Sequence, residues 1–153
     1  MVRRSLYLIC LVGAAVAVCL WLASPALFAG ASHNEGEDAI RSFFDCINHR
    51  DPYGAMDLMD QATFFPSKDD RQHWRAIFNA INWVAVNKVI PDRFDEWNNR
   101  RSFYQVTFTI HPRGTPDANP DQDWHEGQNV KWFRLKMDPH GDVWRIDGFE
   151  TVR

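Results

Sequence analysis

Between Ser5 and Ala31 the sequence has no charged residue, and no aspartate or glutamate precedes Glu35. Arg3 and Arg4 stand before that run, which gives the layout of an export signal. Cysteine is scarce. Of three, Cys10 and Cys19 lie in the apolar run, so Cys46 alone remains and cannot form an internal disulfide beyond it. That part must be held by its core rather than by staples. Cys46 sits in the apolar stretch Phe43-Phe44-Asp45-Cys46-Ile47 and reads as a buried, inert thiol. A basic excess is also missing. Residues 1–31 hold two of the 17 basic side chains and none of the 20 acidic ones, so the remainder carries a formal charge of −5. Nucleic-acid binding needs a basic footprint, so no nucleic-acid partner is indicated. The six histidines show no short ligand spacing, which speaks against zinc. There is no internal repeat and no low-complexity segment. The length of 153 residues suggests one domain.

Two readings fit residues 1–31. In one, Leu6–Leu22 is the apolar core of a signal peptide, and Ala29-Gly30-Ala31 is the cleavage site. In the other, residues 6–28 form a transmembrane helix, long enough to span a bilayer. Arg3 and Arg4 then stay cytoplasmic. Val16-Ala17-Val18-Cys19 is a poorer fit to a lipoprotein site, because Val18 stands where a small residue is needed. Each reading places the rest of the chain in the cell envelope, on the outer side of the cytoplasmic membrane, anchored or secreted.

Residues 32–36 read as a linker and 37–153 as one domain. Glu37–His49 carries Ala39, Ile40, Phe43, Phe44 and Ile47 at helical spacing. Asp51-Pro52 reads as a cap with proline at the first helical position of a second, short helix. Residues 63–68 read as a break, and Asp69–Ala80 as a third helix. The period then changes. Trp83–Ile90, Ser102–His111, Asn129–Met137 and Val143–Val152 read as strands, the second with the cleanest alternation. Asp138-Pro139-His140-Gly141-Asp142 reads as a hairpin turn. Helices followed by a meander predict an α+β fold. Its N-terminal helices pack on a curved, mainly antiparallel sheet of about four strands, a cone.

Three segments carry a family resemblance. They are Glu37-Asp38-Ala39-Ile40-Arg41-Ser42-Phe43-Phe44, the turn Asn48–Met56, and Gly141-Asp142-Val143-Trp144-Arg145-Ile146-Asp147-Gly148-Phe149. In this order they resemble the nuclear-transport-factor-2-like superfamily, the cystatin-like cone that includes ketosteroid isomerase and polyketide cyclases. The resemblance covers most of residues 36–153 and is greatest to bacterial cell-envelope members without a known activity. It implies a cone and no particular function. The acid–base carboxylate and phenol of its enzymes do not map onto this chain residue by residue.

Several local patterns bear on chemistry. Asp147 lies between Ile146 and Gly148 in the last strand. Desolvated inside the cone it could move a proton, with Tyr104 in the same cavity. The competing reading pairs it with Arg134 or Arg145 on the outer face. Asp57 and Asp60, three apart, could project from one helix face. Asp117, Asn119, Asp121 and Asp123 place oxygen ligands at alternate positions, as calcium loops do. Gln122 and Gln128 stand where such a loop needs glycine and glutamate, so a solvated acidic loop is the plainer reading. The pairs His73-Trp74 and Trp124-His125 invite a metal or stacking role. Trp97 and Trp124 fall in loop regions and read as contact residues for a ligand or partner. No cofactor is indicated. The sequence thus predicts a non-catalytic domain that binds a protein partner or a small apolar ligand. Homo-oligomerisation is a further possibility. The alternatives are an isomerase- or cyclase-like enzyme and an assembly subunit of a membrane complex.

Overall fold

The computed structural model describes residues 35–114, 124–140 and 143–151. The signal or anchor at 1–31 and the acidic loop at 117–123 lie outside them. Among the described residues no helix is long and apolar enough to cross a membrane.

Helix α1 spans residues 35–48, beginning two positions earlier than the sequence predicts. Its buried stripe is Ile40, Phe43, Phe44 and Ile47. Arg50 terminates it in the left-handed region, at φ 61°. The Arg50 amide donates to the Ile47 carbonyl and the Asp51 amide to the Cys46 carbonyl, the paired closure of a Schellman turn. Asp51 then caps α2 (Pro52–Asp57) by accepting from the Gly54 amide. The segment predicted as a break begins inside a one-turn helix, α3 (Gln61–Phe64), capped by Asp60. Helix α4 (Lys68–Ala80) opens with a reciprocal capping box between Ser67 and Asp70.

The four strands β1 (Ile81–Asp92), β2 (Arg101–Pro112), β3 (Gly127–Met137) and β4 (Trp144–Thr151) form an antiparallel meander in the order β1-β2-β3-β4. The sheet is open rather than closed into a barrel. Pro91 is tolerated because β1 is an edge strand. The other edge is partly covered: Ile146 pairs in parallel with Met59, exchanging bonds with Leu58 and Asp60. Asn48 secures β1 from the end of α1. Its amide donates to the Val84 carbonyl at 3.0 Å and accepts from the Val84 amide at 2.7 Å, imitating a strand neighbour.

Alternation sorts β2 into two faces. Tyr104, Val106, Phe108 and Ile110 are buried against the helices, and β3 adds Phe133 and Leu135. The core is dominated by rings. Phe43 lies 5.1–6.3 Å from Phe44, Phe78, Trp124, Phe133 and Phe149, and Phe44 lies 4.9 Å from Phe108. Edge-to-face pairs at these separations add to area burial. The predicted α+β layering therefore holds, and the stripe read from α1 is the stripe that seals it.

Candidate functional site

Strand β4 departs from ideal alternation at Asp147. Arg134 faces Gly148 and Leu135 faces Ile146, so Asp147 is the extra residue of a bulge. A β-carbon at Gly148 would lie 2.9 Å from the Arg134 guanidinium, so a larger residue there would push that side chain aside. The bulge directs Asp147 toward Arg134 and Lys136, side chains of the face opposite Phe133 and Leu135. The Arg134 Nε donates to Asp147 Oδ2 at 3.0 Å, and Lys136 Nζ is 3.4 Å from Oδ1.

A second carboxylate joins from the segment covering the β4 edge. Asp60 Oδ2 accepts from the Thr63 amide at 2.9 Å and lies 2.9 Å from Lys136 Nζ. The Thr63 hydroxyl sits between the two acids, 2.6 Å from Asp60 Oδ2 and 2.9 Å from Asp147 Oδ1. A hydroxyl has one proton, so it serves the two acceptors in turn. Burial works to raise the pKa of Asp60, but Thr63 and Lys136 outweigh it and hold the acid below its ordinary value. Burial likewise works to lower Lys136, while Asp60 and Asp147 raise it. The network continues outward. Arg134 approaches Glu150 at 3.6 Å, Glu150 lies 3.1 Å from Arg93, and Arg93 stacks over Trp132 at 4.1 Å. Asp60, Asp147 and Glu150 are thus matched by Lys136, Arg134 and Arg93.

The inner face is of a different kind. Tyr104 is fully buried, and burial pushes its pKa up to about 12, against the opposing influence of Ser102 and the Glu37 backbone. The start of α1 presses on the phenol: a β-carbon at Gly36 would lie 2.5 Å from the Tyr104 hydroxyl oxygen. Asn129 and Lys131 are also buried on this face. The Asn129 amide donates to the carbonyls of His125 and Gly127, and Lys131 reaches the Thr151 hydroxyl at 3.2 Å.

This arrangement of helices on an open four-stranded meander matches known structures. The Mycobacterium tuberculosis protein Rv3472, of unknown function and solved as a single-substitution variant, superposes with a TM-score of 0.57. The identity is 9%, over 80% of this chain and 76% of that one. A candidate dehydratase of the NTF2-like family from Streptomyces avermitilis superposes with a TM-score of 0.53. The identity is 14%, over 78% of this chain and 94% of that one. The chain has the nuclear-transport-factor-2-like fold. No protein-family model matches the sequence. No curated protein matches it.

Within the NTF2-like fold the expected site residues are distributed as follows. Asp147 and Tyr104 are not brought together: the acid contacts the outer-face cations, and the phenol points into the core. Arg134 is the partner of Asp147, whereas Arg145 donates to the Asp57 carbonyl. Asp57 and Asp60 do not share a helix, because α2 ends at Asp57 and Asp60 caps α3. Trp124, expected as an exposed contact, is 2% exposed and belongs to the core, in contact with Phe43 and Phe108. Its loop position concealed that it folds back over the aromatic cluster. Trp97 is half-buried, donates to the Asp92 carbonyl and packs on Tyr104. Phe94, beside it, is the exposed ring at 61%. The calcium-loop positions Asp117, Asn119, Asp121 and Asp123 lie outside the described residues. Among the described residues no group of three or more His, Cys, Asp or Glu side chains could hold a metal. Thr63 and Lys136 were missed from sequence. The only available signal was Asp60-x-x-Thr63, the spacing of an N-cap and its third helical residue.

Proposed function

We propose that this chain is an exported or membrane-anchored binding domain that engages a protein partner through its surface, and is not a catalyst. The observation that carries the reading is the fate of the buried acids. Among the described residues the buried carboxylates are Asp60 and Asp147, and both are engaged by Thr63 and by cations. A general acid or base must reach a substrate proton, and these acids are held in a charge-matched cluster on the face away from Tyr104. The ring contacts among Phe43, Phe44, Phe108, Phe133 and Phe149 support a surface partner over a small apolar ligand inside the cone. Anchorage or export rests on the apolar run after Arg3 and Arg4.

Site-specific photo-cross-linking tests the reading. A benzoylphenylalanine replaces exposed Phe94 in the full-length chain expressed in its native start context, and buried Phe133 serves as control. Discrete heavier adducts are expected from position 94 and not from 133. Absence of adducts at Phe94, Tyr53, Trp83 and Val143 alike, the exposed large apolar positions among the described residues, refutes partner binding. Native mass spectrometry of the purified chain covers the other arm, since a tightly retained small ligand contradicts the surface reading. Protease reaching residues 32–153 from the cytosolic side contradicts export.

A further inference from the structure

Helix α4 presents Lys68, Arg71, Gln72 and Arg75 along one face, and with Tyr53 and Met56 of α2 they line an open cleft of about 210 Å³. The positions recur at i, i+3, i+4 and i+7, so they form a single stripe. We propose that this cleft is the docking groove for an acidic peptide segment of a protein partner. The inference rests on the partner-binding reading above and gives that partner its chemistry.

Charge is the first argument. Among the described residues no carboxylate lies within ion-pair distance of Lys68, Arg71 or Arg75, in contrast to Arg41, Arg93, Arg134 and Lys136. Arg71 donates to the Gln61 side chain at 2.7 Å and stands 5.4 Å from the Phe65 ring centroid. Arg75 donates to the Tyr53 hydroxyl at 2.9 Å. These neutral contacts hold both guanidiniums in place without an ion pair. The stripe of three cations occurs on a chain whose net charge is −3, with Asp69 and Asp70 in the first turn of the same helix.

Helix stability does not account for the stripe. Lys68 and Arg71 lie at the start of α4, where the helix dipole favours acids. The Asp70 amide is served by the Ser67–Asp70 capping box, and Asp69 and Asp70 supply the acids of the first turn. Lys68 and Arg71 themselves add nothing favourable to that dipole.

Shape selects a peptide over a single small anion. Lys68 and Arg75 are seven residues apart, about 10 Å along the axis, the reach of about three extended residues. All three cations are exposed, so the cleft lacks the desolvated cradle that holds an isolated phosphate. Tyr53, 60% exposed, gives an aromatic wall beside the cations, a mixture typical of protein recognition.

The test uses the full-length chain and a fluorescein-labelled hexaglutamate peptide, followed by fluorescence anisotropy. Saturable binding is expected, weakening with added salt. Arg71→Ala with Arg75→Ala should reduce affinity at least tenfold, while Arg71→Lys with Arg75→Lys should restore part of it. Zero-length carbodiimide coupling should join the peptide to Lys68. Three results overturn the proposal. They are equal affinity in wild type and the alanine variant, displacement by inorganic phosphate at matched charge concentration, or preferential binding to phosphatidylglycerol vesicles. If the peptide fails to bind while the Phe94 cross-links persist, the groove assignment falls and the partner reading stands.

Discussion

Tyr104 gives a stability prediction whose size and sign follow from its burial. Its phenol is completely enclosed, and burial moves its pKa from 10.0 to about 12. Below pH 10 both folded and unfolded chains keep the phenolic proton, so pH has no leverage through this group. Between pH 10 and 12 the unfolded chain loses the proton while the folded chain retains it. Unfolding then releases a proton, and stability falls as pH rises. The full interval corresponds to about 3 kcal/mol, and about 1.4 kcal/mol is lost between pH 9 and pH 11. The assay compares urea unfolding of wild type and Tyr104→Phe by tryptophan fluorescence at pH 9, 10 and 11. The variant cancels the titration of every other group. The stability difference, wild type minus variant, should drop by about 1.4 kcal/mol across this range. Tyrosinate absorbance should show a late step in the wild type that coincides with unfolding and is missing from the variant. A difference that stays constant from pH 9 to 11 means that Tyr104 ionises as freely folded as unfolded. The burial argument then fails, and with it the exclusion of water from this end of the core.

Three further tests address other parts of the fold. Phe43→Ala empties a fully buried site among five rings and should cost about 3–5 kcal/mol; a loss under about 1 kcal/mol would falsify the packing of α1 on the sheet. Asp60, held below its ordinary 3.8, contributes stability that is present above that value and lost as pH falls through the folded value. Lys136, raised above 10.5, contributes stability that is full below that pH and lost as pH rises through its folded value. Denaturation of Asp60→Asn and Lys136→Met should therefore converge with wild type at the acid and alkaline ends respectively, and parallel profiles sink the assignment. Arg50→Gly should raise stability by up to about 1 kcal/mol, because glycine relieves the left-handed strain at φ 61°; destabilisation by thermal melting would show that the Arg50 side chain contributes more than the strain costs.

Much of the architecture was legible because burial imposes a period. The stripe Ile40, Phe43, Phe44 and Ile47 announced a helix that must face a sheet. Tyr104, Val106, Phe108 and Ile110 announced a strand with one buried side. These signals are local, and a strict period of two or 3.6 residues survives any arrangement of the remaining chain. Loop tryptophans carry no such period. Trp124 looked exposed because nothing beside it in the sequence says where it packs, and the tertiary structure places it against Phe43.

The polar cluster shows the limit most clearly. Reading β4 by alternation gives Asp147 a face, but one extra residue at a bulge resets which way every side chain points. That bulge is set by the pairing of Arg134 with Gly148 and Leu135 with Ile146, a register between neighbouring strands that the alternation of β4 alone does not reveal. Thr63 reaches Asp147 across 84 residues, and Asn48 reaches Val84 across 36. The sequence by itself determined the longer helices and the four strands, their order and the buried face of α1, because hydrophobic burial writes a local pattern. Only the tertiary structure decided which acids meet which cations and that Asp147 and Tyr104 stand apart. It also decided that the cations of α4 line a cleft with Tyr53, because hydrogen bonds and ion pairs depend on distances no local pattern encodes.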